Sequence, residues 1–204
     1  MMMFGPLLPG QTAIDDLSGL RLRKIRTVTE LNAAESENIR RAMVRYLTAR
    51  PSPRLASFTF EWLLKLHGQM FGRVWTWAGV TRRRDLNIGS APHMIAIELH
   101  GLVDDLSAWH QSTMPIIEQA ARLHHASVRI HPFQNGNGRW ARLLANIWLR
   151  RHGEAPIEWP EATIGSVSAI RNEYLMAVRE ADRGEYGRLI AMHVRFTGEA
   201  SGAS

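Results

Sequence analysis

The chain has 204 residues, of which 45% are hydrophobic, and its formal net charge at pH 7 is +6. This length and apolar content predict one globular domain, at about residues 28–198, between an N-terminal arm (1–27) and a flexible tail (199–204). The absence of cysteine excludes disulfides, thiolate metal sites and a cysteine nucleophile. No apolar run approaches the roughly 20 residues that cross a bilayer, and the N-terminus lacks the basic region of a secretory signal, so we expect a cytoplasmic protein.

The positive net charge suggests that the protein binds nucleic acid, but the distribution of the basic residues does not favour this hypothesis. Only two of the 25 basic residues are lysines, and the arginines are spread along the chain in short clusters such as residues 21–26 and 82–84. No helix-turn-helix, zinc finger or aromatic-basic sheet pattern accompanies them. We therefore do not expect nucleic acid as a partner.

Helical periodicity returns several times along the chain, with Thr29 as the expected N-cap of the first helix and Pro92 in the first turn of the third. The fourth helix has small or apolar residues along one stripe, so we expect it to be central. Residues 79–91 lose the helical period and carry two glycines and an asparagine, which predicts an extended hairpin. The predicted helices cover about residues 29–47, 57–71, 92–109, 115–130, 138–152, 163–181 and 185–196.

Trp75 and Trp77 are closely spaced aromatic residues between the second helix and the predicted hairpin. They could form a platform on which a base stacks. Aromatic residues near a turn are more often buried in the core, and we favour that interpretation.

The most informative segment lies between the fourth and fifth predicted helices. His131 precedes Pro132, which disfavours helical geometry at the histidine, so its side chain is expected at a helix exit. Imidazole has an unperturbed pKa of about 6.5, and it can therefore accept a proton near neutral pH.

The residues that follow have the features of an anion site. Gly136 and Gly138 lack Cβ atoms, so the backbone there can turn sharply and approach a ligand. Helical periodicity resumes directly afterwards, which places these glycines at a helix N-terminus, where unpaired N–H groups favour an anion. Arg139 and Arg142 are three residues apart on one helix face, and both can fork onto phosphate oxygens. The segment can therefore hold a polyphosphate beside a proton acceptor.

The sequence His-Pro-Phe-x-x-Gly-Asn-Gly-Arg-x-x-Arg at residues 131–142 resembles the signature of the Fic (Fido) family. The resemblance extends from about Thr29 to residue 150, and the layout, including residues 29–32, 71–79 and 87–89, is most similar to the subfamily called mobile mystery protein B. It implies an all-α fold with a small β-hairpin flap over the active site. It also implies transfer of AMP from ATP to a Ser, Thr or Tyr hydroxyl of a target protein.

The resemblance also implies roles for the residues of the motif. His131 would be the general base that deprotonates the target hydroxyl, and Phe133 would anchor the loop in the core. The remaining residues would hold the nucleotide: the backbone of Gly136, Asn137 and Gly138 as a phosphate nest, and Arg139 and Arg142 on the outer phosphates.

Asn135 departs from the family pattern, which has Asp or Glu at this position to coordinate the magnesium that bridges the nucleotide phosphates. Magnesium is a hard cation that prefers charged oxygen, and an amide supplies only a dipole. Asn135 is therefore expected to be a weak metal ligand. Slow catalysis, transfer of another phosphate-containing group, and a non-catalytic nucleotide-binding or partner-binding module all remain open.

The predicted flap and the regulation of the family suggest partners. The resemblance implies that Asn87, Ile88 and Gly89 bind an extended segment of the target by strand addition. Arg82–Arg84 either attract an acidic target or form an ordinary solvated turn. Many family members carry an inhibitory Ser/Thr-x-x-x-Glu followed by Gly or Asn, whereas here Ala33 precedes Glu37-Asn38. Inhibition is therefore expected from a separate partner protein, or activity is limited in another way.

Overall fold

The computed structural model describes residues 19–197, except 23, 161–163 and 165–167. The proposed tail and most of the proposed arm lie outside the described residues. The described part is helical, which confirms the all-α prediction, and most elements lie near their predicted positions. The helix predicted from about residue 163 instead begins at Ala169, because the extended backbone of Ser168 caps it. The helices are α1 (Val28–Leu47), α2 (Phe60–Phe71), α3 (Ile95–Gln111), which follows a 3-10 turn at Pro92–Met94, α4 (Ile116–Ile130), α5 (Asn137–Arg151), α6 (Ala169–Ala181) and α7 (Gly187–Arg195).

The start of α1 corrects the sequence prediction, because its N-cap is Thr27 and not Thr29. The hydroxyl of Thr27 accepts a hydrogen bond from the Glu30 N–H at 3.2 Å, and the Glu30 carboxylate accepts one from the Thr27 N–H at 3.0 Å. This reciprocal capping box satisfies two amides that lack partners within the helix. Thr29 lies inside the first turn instead.

Helices α4 and α5 form the centre of the protein and pack against each other more extensively than any other pair. Every residue of α5 from Trp140 to Leu149 is buried. The small residues of α4, such as Ala120 and Ser127, allow this close packing. The prediction that α4 is central is therefore confirmed, and the loop between the two helices carries the motif.

Residues 79–91, all of which the structure describes, do not form the predicted hairpin. No strand is present in this segment. Its backbone instead bonds to the motif loop: Arg82 N–H donates to Pro132 O at 2.8 Å, and Ser90 N–H donates to Ile130 O at 3.2 Å. The segment, called the flap below, is an irregular loop held at both ends by residues 130–132.

Trp75 is buried, and its indole N–H donates to the Glu35 carboxylate at 2.6 Å. Trp77 is partly exposed and stacks on Trp75, with the ring centroids 5.0 Å apart. The core interpretation therefore holds for Trp75, whereas Trp77 reaches the surface beside the flap. No helix of the described part is long and apolar enough to span a membrane.

Candidate active site

His131 is the residue that ends α4, and its backbone is left-handed, with φ 51° and ψ 58°. Its side chain is almost completely buried, and burial lowers the pKa of His131 to about 4. The imidazole is therefore neutral at pH 7 and able to accept a proton. The structure places His131 at a helix exit, as the His-Pro pair predicts.

Phe133 and Asn137 give the motif loop its shape. The Asn137 amide accepts a hydrogen bond from the Phe133 N–H and donates one to the Phe133 carbonyl, both at 2.8 Å. The phenyl ring is fully buried and packs edge-on against Trp140, with ring centroids 5.0 Å apart. This is the predicted anchoring position for Phe133. The structure adds that the Asn137 side chain closes the loop.

His67 on α2 is a residue of the site that the sequence reasoning missed. Its ring stacks on Phe133 with the centroids 3.6 Å apart. The Gly79 N–H donates to Nδ1 at 3.0 Å, so Nε2 carries the proton and donates to the Asn135 carbonyl at 3.0 Å. Burial lowers the pKa of His67 to about 3, which keeps this neutral form in place. One feature of the sequence indicates a buried position for His67, because it falls on the apolar stripe of α2 between Leu63 and Met70.

The two glycines of the motif occupy different environments. Gly136 is the N-cap of α5 with φ 78°, and a Cβ there would lie 2.6 Å from the Phe71 ring. At Gly138 a Cβ would meet only Arg142 Nη1, at 3.4 Å. The first turn of α5 therefore begins at a sharp, closely packed turn. Its leading amides have no acceptor within the helix, as an anion site requires.

Arg139 is already paired within the chain. Its Nη1 lies 2.6 Å from Glu35 Oε2, and its guanidinium lies over the Phe71 ring, 4.9 Å from the centroid. Glu35 belongs to α1 and is buried, with its second oxygen bonded to Trp75. Arg142 is also buried, with its guanidinium beside Gly138. Both arginines therefore lie at the start of α5 as predicted, but a bound phosphate would compete with Glu35 for Arg139.

Asn135 offers little to a metal ion by itself. Its side-chain oxygen accepts a hydrogen bond from the Gly136 N–H at 2.6 Å, and its backbone carbonyl accepts one from His67. No group of three or more histidine, aspartate or glutamate side chains that could hold a metal occurs among the described residues. A single amide oxygen does not form a magnesium site, so a metal would have to be held mainly by nucleotide phosphates and water.

The flap covers the motif loop, and its arginines separate into two kinds. Arg82 is buried, so it does not face a target as the sequence interpretation allowed, whereas Arg83 and Arg84 are exposed. The exposed pair borders a cleft of about 290 Å³ that reaches Gln134 of the motif loop and the side chain of Trp77.

The residues that the resemblance assigns to target binding lie near the tip of the flap and at its return. Asn87 and Gly89 are exposed, and Ile88 is half-buried. A Cβ at Gly89 would lie 2.5 Å from His131 Cβ, so this part of the flap passes directly over His131.

Comparison with known proteins agrees with this arrangement. Residues 57–149 match the model of the Fic/DOC family. The chain is 32% identical over 139 residues to protein adenylyltransferase fic-1 from Caenorhabditis briggsae, which covers 64% of this chain and 26% of that protein. It is 29% identical over 163 residues to protein adenylyltransferase Fic from Drosophila melanogaster, which covers 78% of this chain and 31% of that protein. The chain thus spans less than a third of the length of these curated relatives.

Solved structures share the fold. Fic-1 from Caenorhabditis elegans superimposes with a TM-score of 0.67 at 25% identity, over 86% of this chain and 51% of that one. The N-terminal Fic domain of a Bartonella quintana effector with bound ADP superimposes with a TM-score of 0.63 at 19% identity, over 85% of this chain and 87% of that one. The resemblance to the mobile mystery protein B subfamily stays a prediction.

Proposed function

We propose that the chain is a protein adenylyltransferase of the Fic/DOC family, which transfers AMP from ATP to a hydroxyl group of a target protein. One observation carries the proposal. The neutral, buried imidazole of His131 lies at the end of α4, and α5 begins six residues later at Asn137, between Gly136 and Gly138. That arrangement joins a proton acceptor to a phosphate-binding turn.

In the proposed reaction, the hydroxyl oxygen of the target attacks the α-phosphorus of ATP. His131 accepts the hydroxyl proton, the new P–O bond joins AMP to the target, and the bond to the departing pyrophosphate breaks. The amides of the first turn of α5 and the guanidiniums of Arg139 and Arg142 hold the phosphates and their developing charge. Arg139 reaches the phosphates only after its ion pair with Glu35 opens or rearranges.

Magnesium enters the proposal as an ion carried by the nucleotide. It would neutralise phosphate charge, and Asn135 is the residue of the motif loop that would lie nearest to it. The amide oxygen of Asn135 has to leave the Gly136 N–H, or be shared with it, to contact a metal. We therefore expect that contacts between the protein and the metal contribute little to the binding of magnesium and ATP.

The target is proposed to dock on the flap through Asn87, Ile88 and Gly89. The exposed Arg83 and Arg84 favour an acidic target segment, because their positive charges attract negative side chains. The cleft that they border reaches Gln134 of the motif loop. A separate inhibitory protein is also part of the proposal, since residues 33–38 lack the full inhibitory sequence.

The proposal is tested by incubating the purified protein with ATP labelled on the α-phosphate, in the presence of a cell lysate. We expect label on the protein or on a target, and a loss of about 10²- to 10⁴-fold in His131→Ala. His93→Ala is a matched control, because His93 is exposed and lies outside the site. Equal labelling by His131→Ala rejects the assigned mechanism, and mass spectrometry that finds an added phosphate alone rejects AMP transfer.

A nucleotide-binding role without transfer is the second candidate. Two observations favour it: the amide at Asn135 and the occupation of Arg139 by Glu35. Calorimetry that detects ATP binding, together with no labelling under any condition, supports this candidate over the first.

A further inference from the structure

Arg82 is buried with only 3% of its surface exposed, an unusual position for an arginine. Burial of the guanidinium lowers the pKa of Arg82, which expresses the free-energy cost of removing the charge from water. Such a cost is offset when the group makes several hydrogen bonds that a neutral side chain cannot make.

The guanidinium of Arg82 makes three such bonds, all to main-chain carbonyls. Nε donates to His131 O at 2.8 Å, Nη1 donates to Arg84 O at 3.0 Å, and Nη2 donates to Ser90 O. Arg84 and Ser90 lie on the two arms of the flap, whereas His131 belongs to the motif loop. One side chain therefore closes the flap at its base and fixes the flap to the carbonyl of the candidate general base.

Further backbone contacts surround the junction between the flap and the motif loop and restrict its motion. The amides of Arg82 and Ser90 bond to Pro132 O and Ile130 O, on either side of His131. A Cβ at Gly89 would lie 2.5 Å from His131 Cβ and 2.8 Å from Arg82 Nη2. The left-handed backbone of His131, which costs a non-glycine residue free energy, is thus held by contacts from the flap.

We propose that Arg82 is a positioning residue that holds the flap and His131 together as one rigid unit. A segment bound on the flap is then placed at a fixed distance from the imidazole. In place of the strand pairing of a β-hairpin, the fork of Arg82 gives the flap its shape. Lysine cannot replace it, because an ammonium on a flexible stem lacks the planar fork that reaches three separate carbonyls.

The structural part of this inference is tested by hydrogen exchange on the full chain, comparing wild type, Arg82→Lys and Arg82→Gln. We expect the amides of Arg82 (or its replacement) and Ser90 to exchange at least tenfold faster in both variants, while amides of α5 keep their protection. Arg54→Lys and Arg54→Gln are matched controls, because Arg54 is exposed in the loop after α1. Unchanged exchange in a folded Arg82→Lys overturns the inference.

The catalytic part rests on the proposed function and uses the labelling assay. We expect kcat to fall by a factor of 10 or more in Arg82→Lys while the KM for ATP changes less than threefold, because the phosphate-binding turn is untouched. A rise in KM with kcat preserved contradicts positioning. If the wild type transfers nothing, the proposed function fails and the exchange result still decides the structural claim.

A second variant covers the case in which the Arg82 variants do not fold. Gly89→Ala brings a methyl group against His131 from the other side of the junction, and we expect the same faster exchange at residues 82 and 90. Gly101→Ala is its control, because a Cβ at that helical position meets nothing within 4 Å. Wild-type exchange in Gly89→Ala overturns the inference.

Discussion

Gly136 and Gly138 are two residues apart in the same motif, yet they are glycines for different physical reasons. At Gly136 the chain itself requires glycine, since φ is 78° and the Phe71 ring occupies the space of a side chain. At Gly138 the folded chain leaves room for a methyl group, with only the flexible end of Arg142 at 3.4 Å. Packing within the described chain therefore does not require glycine at 138, and we attribute the glycine to a ligand that approaches this backbone from outside.

This difference gives a prediction at the residue scale. Gly136→Ala should lower the free energy of unfolding by about 2 kcal/mol or more, through left-handed strain and the collision with Phe71. Gly138→Ala should leave stability within about 1 kcal/mol of wild type, since alanine is favoured over glycine in a helix by a similar amount. Gly138→Ala should nevertheless weaken ATP binding at least tenfold. Urea unfolding and calorimetry separate the two effects, and normal ATP binding by Gly138→Ala would exclude close approach of a phosphate there.

Asn135 is the second residue whose role can be isolated. Its side-chain oxygen caps the neighbouring Gly136 N–H, a bond that an aspartate oxygen can also make. Substitution by aspartate therefore preserves the local geometry and adds one negative charge. The change is a test of electrostatics at constant shape.

We predict that Asn135→Asp strengthens magnesium-dependent ATP binding and raises transfer by roughly tenfold, or about 1.4 kcal/mol. The added charge attracts the divalent ion, and repulsion from the phosphates offsets part of the gain. Calorimetry with and without magnesium measures the binding effect independently of transfer. Unchanged or weaker binding at saturating magnesium would show that Asn135 is not a poor metal ligand, and another donor or metal geometry would then be favoured.

At the scale of secondary-structure elements, α1 reaches the site through Glu35. Its carboxylate joins Arg139 of α5 to Trp75 of the segment after α2, so three parts of the chain meet at one buried acid. Glu37, whose sequence context comes nearest to the inhibitory pattern, lies away from this point and pairs with Arg40 and Arg41 on the surface.

We predict that Glu35→Gln increases the affinity for ATP by several-fold, because a phosphate no longer competes with a carboxylate for Arg139. The same change should lower the free energy of unfolding by about 1–3 kcal/mol, since the amide pairs less well with the buried edge of the guanidinium. Glu37→Gln is the matched control and should change neither quantity appreciably. ATP affinity that falls in Glu35→Gln would mean that Glu35 orients Arg139 for the phosphate instead of competing with it.

The elements also show what a sequence can and cannot predict. Periodicity placed the helices, and the motif placed His131, Gly136 and the arginines at a helix exit and entrance, because those are local properties of the chain. The contacts that shape the site are not local: 49 residues separate Arg82 from His131, 68 separate His67 from Asn135, and 104 separate Glu35 from Arg139. The glycines and asparagine of residues 79–91 favour the turn of a hairpin, but they suit an irregular loop equally well. The flap is a loop because its hydrogen-bond partners are residues 130–132, which are distant in the sequence.

At the scale of the whole molecule, buried histidines are distributed through the core. Besides His67 and His131, the pair His124 and His193 lies between α4 and α7, with Nδ1 of the first 3.3 Å from Nε2 of the second. His193 Nδ1 donates to Leu189 O, so in the neutral ring Nε2 accepts from His124 Nδ1, and this shared bond cannot form when both rings are protonated.

Acid should therefore unfold this protein at a mild pH. Burial lowers the pKa of His67 to about 3 and those of His131 and His193 to about 4, and it lowers the pKa of His124 well below its usual range. Each histidine has a pKa of about 6.5 in the unfolded chain. Between pH 6.5 and the lowered values, the unfolded chain binds protons that the folded chain excludes, so stability is complete above pH 6.5 and falls as the pH decreases.

At pH 5 the loss is roughly 2 kcal/mol for each of His67, His131 and His193, which together reaches the lower end of the typical total stability of about 5–15 kcal/mol. Urea unfolding at intervals between pH 7 and 5 should show a slope that corresponds to the uptake of several protons. His193→Gln should reduce that uptake by about one proton, because glutamine does not titrate. His100→Gln is the control, since it removes an exposed histidine outside the core. Stability that stays flat between pH 7 and 5 would show that these histidines gain protons in the folded protein without breaking its core.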